Sequence, residues 1–172
     1  LRIEDTDLDR SEKRYEEQLR NDLQWLGLPW DEGVGCGGAY GPYRQTDRFP
    51  LYQKYAARLL EEGKAYRCFC TAEELEAVRE EQLKAGQQPH YQGRCRFLAR
   101  QEVERRLEAG EKPTLRLSVR EGMVGFSDLV FGPLQVECRE IGDFILLRSD
   151  GSAQYNFACV IDDASMEITH VI

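Results

Sequence analysis

Two groups of residues in this chain have types and spacings that could do chemistry. The first is a set of thiols. Cys68 and Cys70 are separated by one residue, so on a strand both sulfurs face the same side, and Cys95 follows after 24 intervening residues in HYQGRCR. A C-x-C pair that closes with a distant third cysteine has the logic of a metal site, because zinc takes four ligands from such sets. The competing reading is three small buried hydrophobes. Cys36, Cys138 and Cys159 have no partners at metal spacing and read as packing thiols. The second group opens the chain, where LRIEDTDLDRS sets Glu4, Asp5, Asp7 and Asp9 beside Arg2 and Arg10. Beyond the carboxyl end of a strand, where open α/β sheets bind ligands, acids can meet a cation. They can also cap the next helix and favour its positive end, which is the preferred reading for Asp9.

These residues need elements to position them. Leu1–Glu4 reads as the end of a buried strand. Residues 11–28 read as a helix with Tyr15, Leu19, Leu23 and Leu26 on one face, stopped by Gly27 and Pro29. DEGVGCGGAYGP is loop by composition, without phosphate-loop spacing. A second helix is expected over 47–62, carrying Leu51, Tyr55, Leu59 and Leu60 inward, then a short strand over 65–69. Thr71 and Glu74 form a capping box for a helix ending at Gly86, and a charged helix spans 100–108. Strands follow at TLRLSV, around 124–130, and at FILLRS. A helix over 153–161 leads into a last strand, ITHVI. Strand and helices, then a block with antiparallel character, then helix and strand: this order suggests an α/β sheet interrupted by an insertion, as in a divided nucleotide-binding fold.

The totals agree with a folded globular domain. The chain has 172 residues, 41% of them hydrophobic and 31% charged, and a net charge of −8. Its acidic balance argues against a nonspecific nucleic-acid coat protein but leaves room for local RNA contacts. Neither a membrane-length apolar run nor a signal peptide is present, which points to the cytoplasm or an organelle matrix. The opening in mid-strand without Met suggests a piece of something larger.

RIEDTD with Arg14 beyond it, GPYRQTDR at 41–48, CFCTAEELEA at 68–77, DGSAQYNFACVIDD and MEITHVI together resemble the catalytic domain of the glutamyl-tRNA synthetases, which are class I aminoacyl-tRNA synthetases. The resemblance covers essentially the whole chain. It implies a Rossmann-type catalytic domain over 1–66 and 144–172, interrupted by an α+β connective insertion over 67–143 that contacts the tRNA acceptor end. It implies that Glu4 receives the α-ammonium of glutamate, and that Tyr155 and, one helical turn later, Cys159 line the amino-acid pocket. Thr6, Asp7 and Arg10 match positions that approach the 3′ end of tRNA. Asp162 and Asp163 are expected to stabilise a helix end rather than bind metal. Bacterial relatives carry a structural zinc in the insertion, with a fourth ligand that is either His two residues after the third cysteine or Tyr four before it. Here those positions are Phe97, which cannot ligate, and Tyr91, which can, with His90 in reserve.

The activity implied is ATP-dependent activation of glutamate and its transfer to tRNA(Glu), with Mg²⁺ neutralising the phosphates, in a monomeric cytoplasmic enzyme with no membrane partner. The ATP signatures His-Ile-Gly-His and Lys-Met-Ser-Lys-Ser are not in the chain, and would lie upstream of Leu1 and downstream of Ile172. Isolated activity is therefore not expected. One rival is the paralogue that glutamylates queuosine in tRNA(Asp), which shares the cysteine and tyrosine pattern but usually opens Arg-Ile-Glu-Asp-Leu-Asp-Pro. Thr6-Asp7-Leu8 favours the charging enzyme. Glutaminyl-tRNA synthetase carries Phe and Asn at the positions of Ile3 and Asp7. A noncatalytic zinc-stabilised RNA-binding module is the rival of another class.

Overall fold

The computed structural model of the chain describes residues 1–7 and 11–171. It divides into two compact units, one made of Leu1–Tyr55 with Ser152–Ile172 and the other of Ala56–Gly151. Mixed helix and strand content makes the chain α/β, as expected.

In the first unit the expected opening strand reduces to a single parallel bridge between Ile3 and Arg44. It is held by Ile3 N–H to the Tyr43 carbonyl at 2.8 Å and Gln45 N–H to the Ile3 carbonyl at 3.0 Å. Helix α1 runs over Lys13–Trp25, shorter at both ends than expected. Its apolar period is real, but no residue of α1 is buried, and Tyr15, Leu19 and Leu26 are exposed. A periodic face marks where cover would sit without supplying it. Asp5 does not cap α1. Its carboxylate accepts from Thr46 N–H at 3.0 Å and Thr46 Oγ1 at 2.8 Å, and pairs with Arg44 at 3.3 Å, so it caps the 3₁₀ turn Gln45–Arg48 instead.

That turn runs directly into α2, Phe49–Glu61. Tyr52 and Ala56 are its most deeply buried side chains, whereas Tyr55, expected inward, is exposed. The face is rotated because Tyr52 finds a buried acceptor for its hydroxyl, described below. The last helix of the unit is α6 in the whole chain's count, Tyr155–Ser165, which starts two residues later and ends four residues later than expected. It buries Phe157, Ala158, Ile161 and Asp162 along one stripe. It ends where Glu167 takes a left-handed φ of 56°, with Ile168 N–H returning to the Asp163 carbonyl at 2.9 Å, a Schellman closure. No strand forms at ITHVI among the described residues. After the closure, residues 168–171 have no described strand beside them to pair with.

The second unit centres on an antiparallel sheet of β1 (Ala65–Cys68), β2 (Thr114–Leu117) and β5 (Ile145–Leu147), with β2 in the middle. Cys68 faces Thr114 across β1 and β2, and a bulge separates Leu115 from Arg116. Helix α3, Ala72–Lys84, starts with the expected capping box: Glu74 N–H to Thr71 Oγ1 at 3.2 Å and Thr71 N–H to Glu74 Oε2 at 3.0 Å. Helix α4 is Arg100–Glu108, as expected. The strand expected around 124–130 is in fact a hairpin of β3 (Met123–Asp128) and β4 (Gly132–Glu137), followed by the short α5, Cys138–Ile141. At its tip the Asp128 carboxylate accepts from Val130 and Phe131 N–H, both at 2.8 Å, and Gly132 takes a φ of 77°. The apolar run Leu129–Phe131 read as strand, yet it is 79–86% exposed on this turn. Among the described residues, no helix is long and apolar enough to cross a membrane.

Candidate functional site

In the first unit, Glu4 lies at the mouth of the Ile3 bridge and on the wall of an open pocket of about 420 Å³. Tyr155 and Cys159, four apart on α6, reach the same pocket, so the structure brings together all three residues expected there. Arg2 Nη2 donates to Glu4 Oε1 at 2.8 Å, and Cys159 Sγ donates to the same oxygen at 3.4 Å. Burial pushes the Glu4 carboxyl up, but the Arg2 guanidinium and the bonds from Cys159 and Tyr155 outweigh it and hold it below the usual carboxylate range. The same hydrogen bond with Glu4, followed by Cys159, pushes the Tyr155 phenol up to about 12. Burial, with the Glu4 charge nearby, raises the Cys159 thiol. Glu4 is therefore an anion paired with the Arg2 cation, with Tyr155 and Cys159 as neutral donors beside it. On the far wall, Glu32 accepts from the Tyr43 hydroxyl and, at 2.9 Å, from Tyr40 N–H.

Beneath the pocket sits a group that pattern reading missed. Asp162 is 0% exposed and accepts from Arg48 Nε at 2.7 Å, the Tyr52 hydroxyl at 2.8 Å and Gln45 Nε2 at 3.1 Å. Arg2 bridges this layer to the pocket: its Nη1 donates to Asp163 Oδ1 at 2.6 Å, and its Nε stands 3.9 Å from Asp162 Oδ2. Asp162 thus does more than end a helix. It ties α6 to the 3₁₀ turn and to α2, and so fixes where Tyr155 and Cys159 point. Gln45 and Arg48, both buried, were a usable signal, since QTDR precedes an apolar helix and needs buried acceptors.

Of the residues expected to serve tRNA, Thr6 is buried and Asp7 is half-buried. Arg10 and Asp9 lie outside the described residues. A broad hollow of about 670 Å³ is lined by Ile3–Asp5, Ser11–Lys13 and Arg44 among others.

In the second unit, the sulfurs of Cys68, Cys70 and Cys95 all lie within 4.8 Å of one another. Cys68 ends β1, Cys70 follows it, and Cys95 comes from the loop after α3. Tyr91 Oη joins them, 3.2 Å from Cys68 Sγ and 3.6 Å from Cys70 Sγ, and it receives Cys95 N–H at 3.1 Å. Cys70 and Cys95 sulfurs are 3.6 Å apart. Ligands at zinc distances on a tetrahedron are separated by roughly 3.5–3.8 Å; the Cys70–Cys95 and Cys70–Tyr91 separations match this, whereas Tyr91 stands closer to Cys68, so the four groups are gathered near such a geometry but are not all at its spacing. His90 is exposed, and its ring nitrogen pairs with the Gln88 carbonyl at 3.2 Å, so it is not placed as the reserve ligand. Its backbone does matter: Gln82, buried on α3, donates to the His90 carbonyl at 3.1 Å and accepts His90 N–H at 3.0 Å, fixing the loop beside Tyr91. Burial opposes ionisation of Cys68, but the Tyr91 hydroxyl and the Arg116 guanidinium lower it to about 7. Burial pushes Cys70 up to about 12.

Comparison with known proteins now adds to this geometry. The family described as tRNA synthetases class I (E and Q), catalytic domain, matches residues 1–172. The glutamate–tRNA ligase of Carboxydothermus hydrogenoformans is 53% identical over 173 residues, covering 100% of this chain and 36% of its own length. A crystal structure of glutamate–tRNA synthetase from Elizabethkingia anophelis superimposes with a TM-score of 0.91 at 35% identity, covering 99% of this chain and 36% of that one. A glutamate–tRNA ligase from Elizabethkingia meningosepticum, solved in complex with its amino acid, superimposes equally well, with the same TM-score of 0.91, identity and coverage. The chain therefore spans about a third of the length of these relatives.

Proposed function

The chain belongs to the class I tRNA synthetases of the glutamate and glutamine type, matching their catalytic domain, and from that membership we propose that it forms the amino-acid and acceptor-end part of a glutamate–tRNA ligase. In the overall reaction, ATP activates glutamate to the adenylate with release of pyrophosphate. The terminal ribose hydroxyl of tRNA(Glu) then takes the glutamyl group, and AMP leaves. The observation that carries this reading is Glu4, an ionised carboxylate set in the pocket by Arg2, Cys159 and Tyr155.

Two of those donors converge on Oε1, which leaves acceptor capacity on the carboxylate for the α-ammonium of glutamate. A bond of that kind is charge-assisted and roughly twice as strong as a neutral one. Tyr155 offers an apolar ring and a polar tip, and Cys159 lines the wall beside it. Thr6, Asp7 and Arg10 serve the 3′ end of tRNA. Mg²⁺ brought with the ATP would neutralise the phosphates, while positioning and charge stabilisation by the protein supply most of the rate.

The catalytic parts are 1–66 and 144–172, with 67–143 as the connective insertion. Cys68, Cys70, Tyr91 and Cys95 hold one structural Zn²⁺ there, and four protein ligands leave no open position for chemistry. The enzyme works as a monomer in the cytoplasm. The queuosine-modifying alternative is not favoured, because relatives at about half identity bear the name glutamate–tRNA ligase.

The test is to supply the purified parent protein with ATP, labelled glutamate and either tRNA(Glu) or queuosine-containing tRNA(Asp). Charging at the 3′ end of tRNA(Glu) is expected. Label appearing only on tRNA(Asp) would overturn the proposal.

A further inference from the structure

Behind the cysteine cluster stands Arg116, whose place in the second unit no zinc ligand set requires. It is 6% exposed, sits on β2 just past the bulge, and is surrounded by groups that fix it. Nη1 donates to the Asp143 carbonyl at 2.8 Å. Asp143 is itself buried and immobilised: its carboxylate accepts from the Tyr66 hydroxyl at 2.6 Å and Val119 N–H at 2.8 Å, and pairs with Arg96 at 3.6 Å. The guanidinium carbon lies 3.8 Å from the centroid of the Tyr91 ring. Its Nε is buried with no hydrogen-bond partner among the described residues. Burying a guanidinium without a paired carboxylate is costly unless something else answers its charge. Here the negative face of an aromatic ring does so.

Charge counting gives the reason. Three thiolates and a phenolate around a dication leave an excess of two negative charges, in a site where Cys68 and Cys95 are buried. A cation stacked on the fourth ligand offsets part of that excess. The stack also fixes the plane of the Tyr91 ring, and with it the direction of Oη toward the three sulfurs.

We propose that Arg116 is the positioning residue of the metal site: its flat guanidinium, anchored through Asp143, stacks on Tyr91, aims the phenolic oxygen at the metal and compensates the anionic ligand set. This inference rests on the zinc reading above. It explains how a tyrosine serves where a histidine position is filled by Phe97, and it makes Arg116 and Tyr91 a functional pair.

The experiment measures zinc affinity by competition with a chromogenic chelator, and the visible spectrum after Co²⁺ substitution, for the parent protein, Arg116→Met, Arg116→Lys, Tyr91→Phe and Tyr91→Phe/Arg116→Met, with folding checked by circular dichroism. The parent protein is expected to bind one zinc. Loss of an outer partner of a ligand typically weakens metal affinity about 10- to 100-fold, and Arg116→Met should fall in that range. Its Co²⁺ spectrum should shift toward that of Tyr91→Phe. Arg116→Lys, which keeps the charge and loses the flat stack, should fall between the two. The double variant should bind only a little more weakly than Tyr91→Phe alone, and much less so than additive losses would give, because Arg116 acts mainly through the tyrosine and only its charge remains opposite the three thiolates. A merely structural role would give additive losses and leave the Co²⁺ spectrum unchanged, and either result overturns the proposal. If Arg116→Met does not fold, Arg116→Lys decides, made once in the parent protein and once together with Tyr91→Phe: a loss of equal size in both refutes it. A parent protein that binds no zinc removes the premise and the inference together, whereas zinc binding that is indifferent to Arg116 removes only the inference.

Discussion

Replacing Asp162 with Ala should be among the most damaging single changes in the first unit. Truncation leaves Arg48 Nε, the Tyr52 hydroxyl and Gln45 Nε2 without their shared acceptor, in a place with no access to solvent. Removing one partner of a buried ion pair costs about 3–5 kcal/mol. Arg48 keeps the Tyr40 and Pro42 carbonyls at 3.3 and 3.0 Å and Ser165 Oγ at 2.6 Å, which draws its share toward the lower end. The two neutral donors add about 1–3 kcal/mol for each one left unpaired, so the expected total is about 5 kcal/mol or more. Asp162→Asn should be milder, at about 1–3 kcal/mol, because its amide oxygen can still receive Arg48. Its NH₂ then faces Gln45, whose Oε1 has no partner among the described residues and gains one if the amide turns over. Both tryptophans, Trp25 and Trp30, belong to this unit, so urea unfolding followed by their fluorescence reads the effect where it arises. Adding Arg48→Met to Asp162→Ala removes the orphaned charge, so the pair should be clearly less than additive. A loss below about 1 kcal/mol for Asp162→Ala, or strict additivity of the pair, would refute the buried-charge reasoning.

Glu4 has a lowered carboxyl pKa, so it stabilises the native state above its unfolded value of about 4.3 and loses that contribution as pH falls through its native value. The stability difference between the parent and Glu4→Gln should therefore shrink on acidification, and a difference that is flat or grows between about pH 7 and pH 3 would contradict the assignment. Thr71→Ala removes the capping box of α3 and should cost about 1 kcal/mol, seen as faster amide exchange in its first turn; unchanged exchange would refute it. Protein purified without chelator should contain one zinc per chain, and chelation should speed amide exchange over 67–97 while α6 stays protected. Zinc well below one per chain with three freely reactive thiols would show that the cysteines only pack.

Local chemistry was the most legible part of the sequence. The capping box of α3 and the C-x-C pair depend on neighbours a few residues away, and both are formed as the spacing implies. Faces were harder to read. The leucines of α1 keep helical period yet stay uncovered, because period cannot say whether a partner surface exists. On α2 the buried position went to Tyr52 rather than Tyr55, since a distant carboxylate on α6 decides the rotation. The hairpin tip at Leu129–Phe131 looked like strand because hydrophobicity outweighed the Asp128 and Gly132 turn signals on either side. Asp162 was placed at a helix end by its position in the chain, while its role comes from residues more than 100 positions earlier, a relation no local pattern contains.

The reading of the pocket is tested most directly by steady-state kinetics of the parent enzyme and its Glu4→Ala variant, varying glutamate and ATP separately. Loss of the ammonium partner should lower kcat/KM for glutamate by the equivalent of about 2–4 kcal/mol, roughly 30- to 1,000-fold, and leave the KM for ATP nearly unchanged. Glutamate kinetics indistinguishable from the parent's, with the variant folded, would contradict the assignment of Glu4 as the anchor of the substrate.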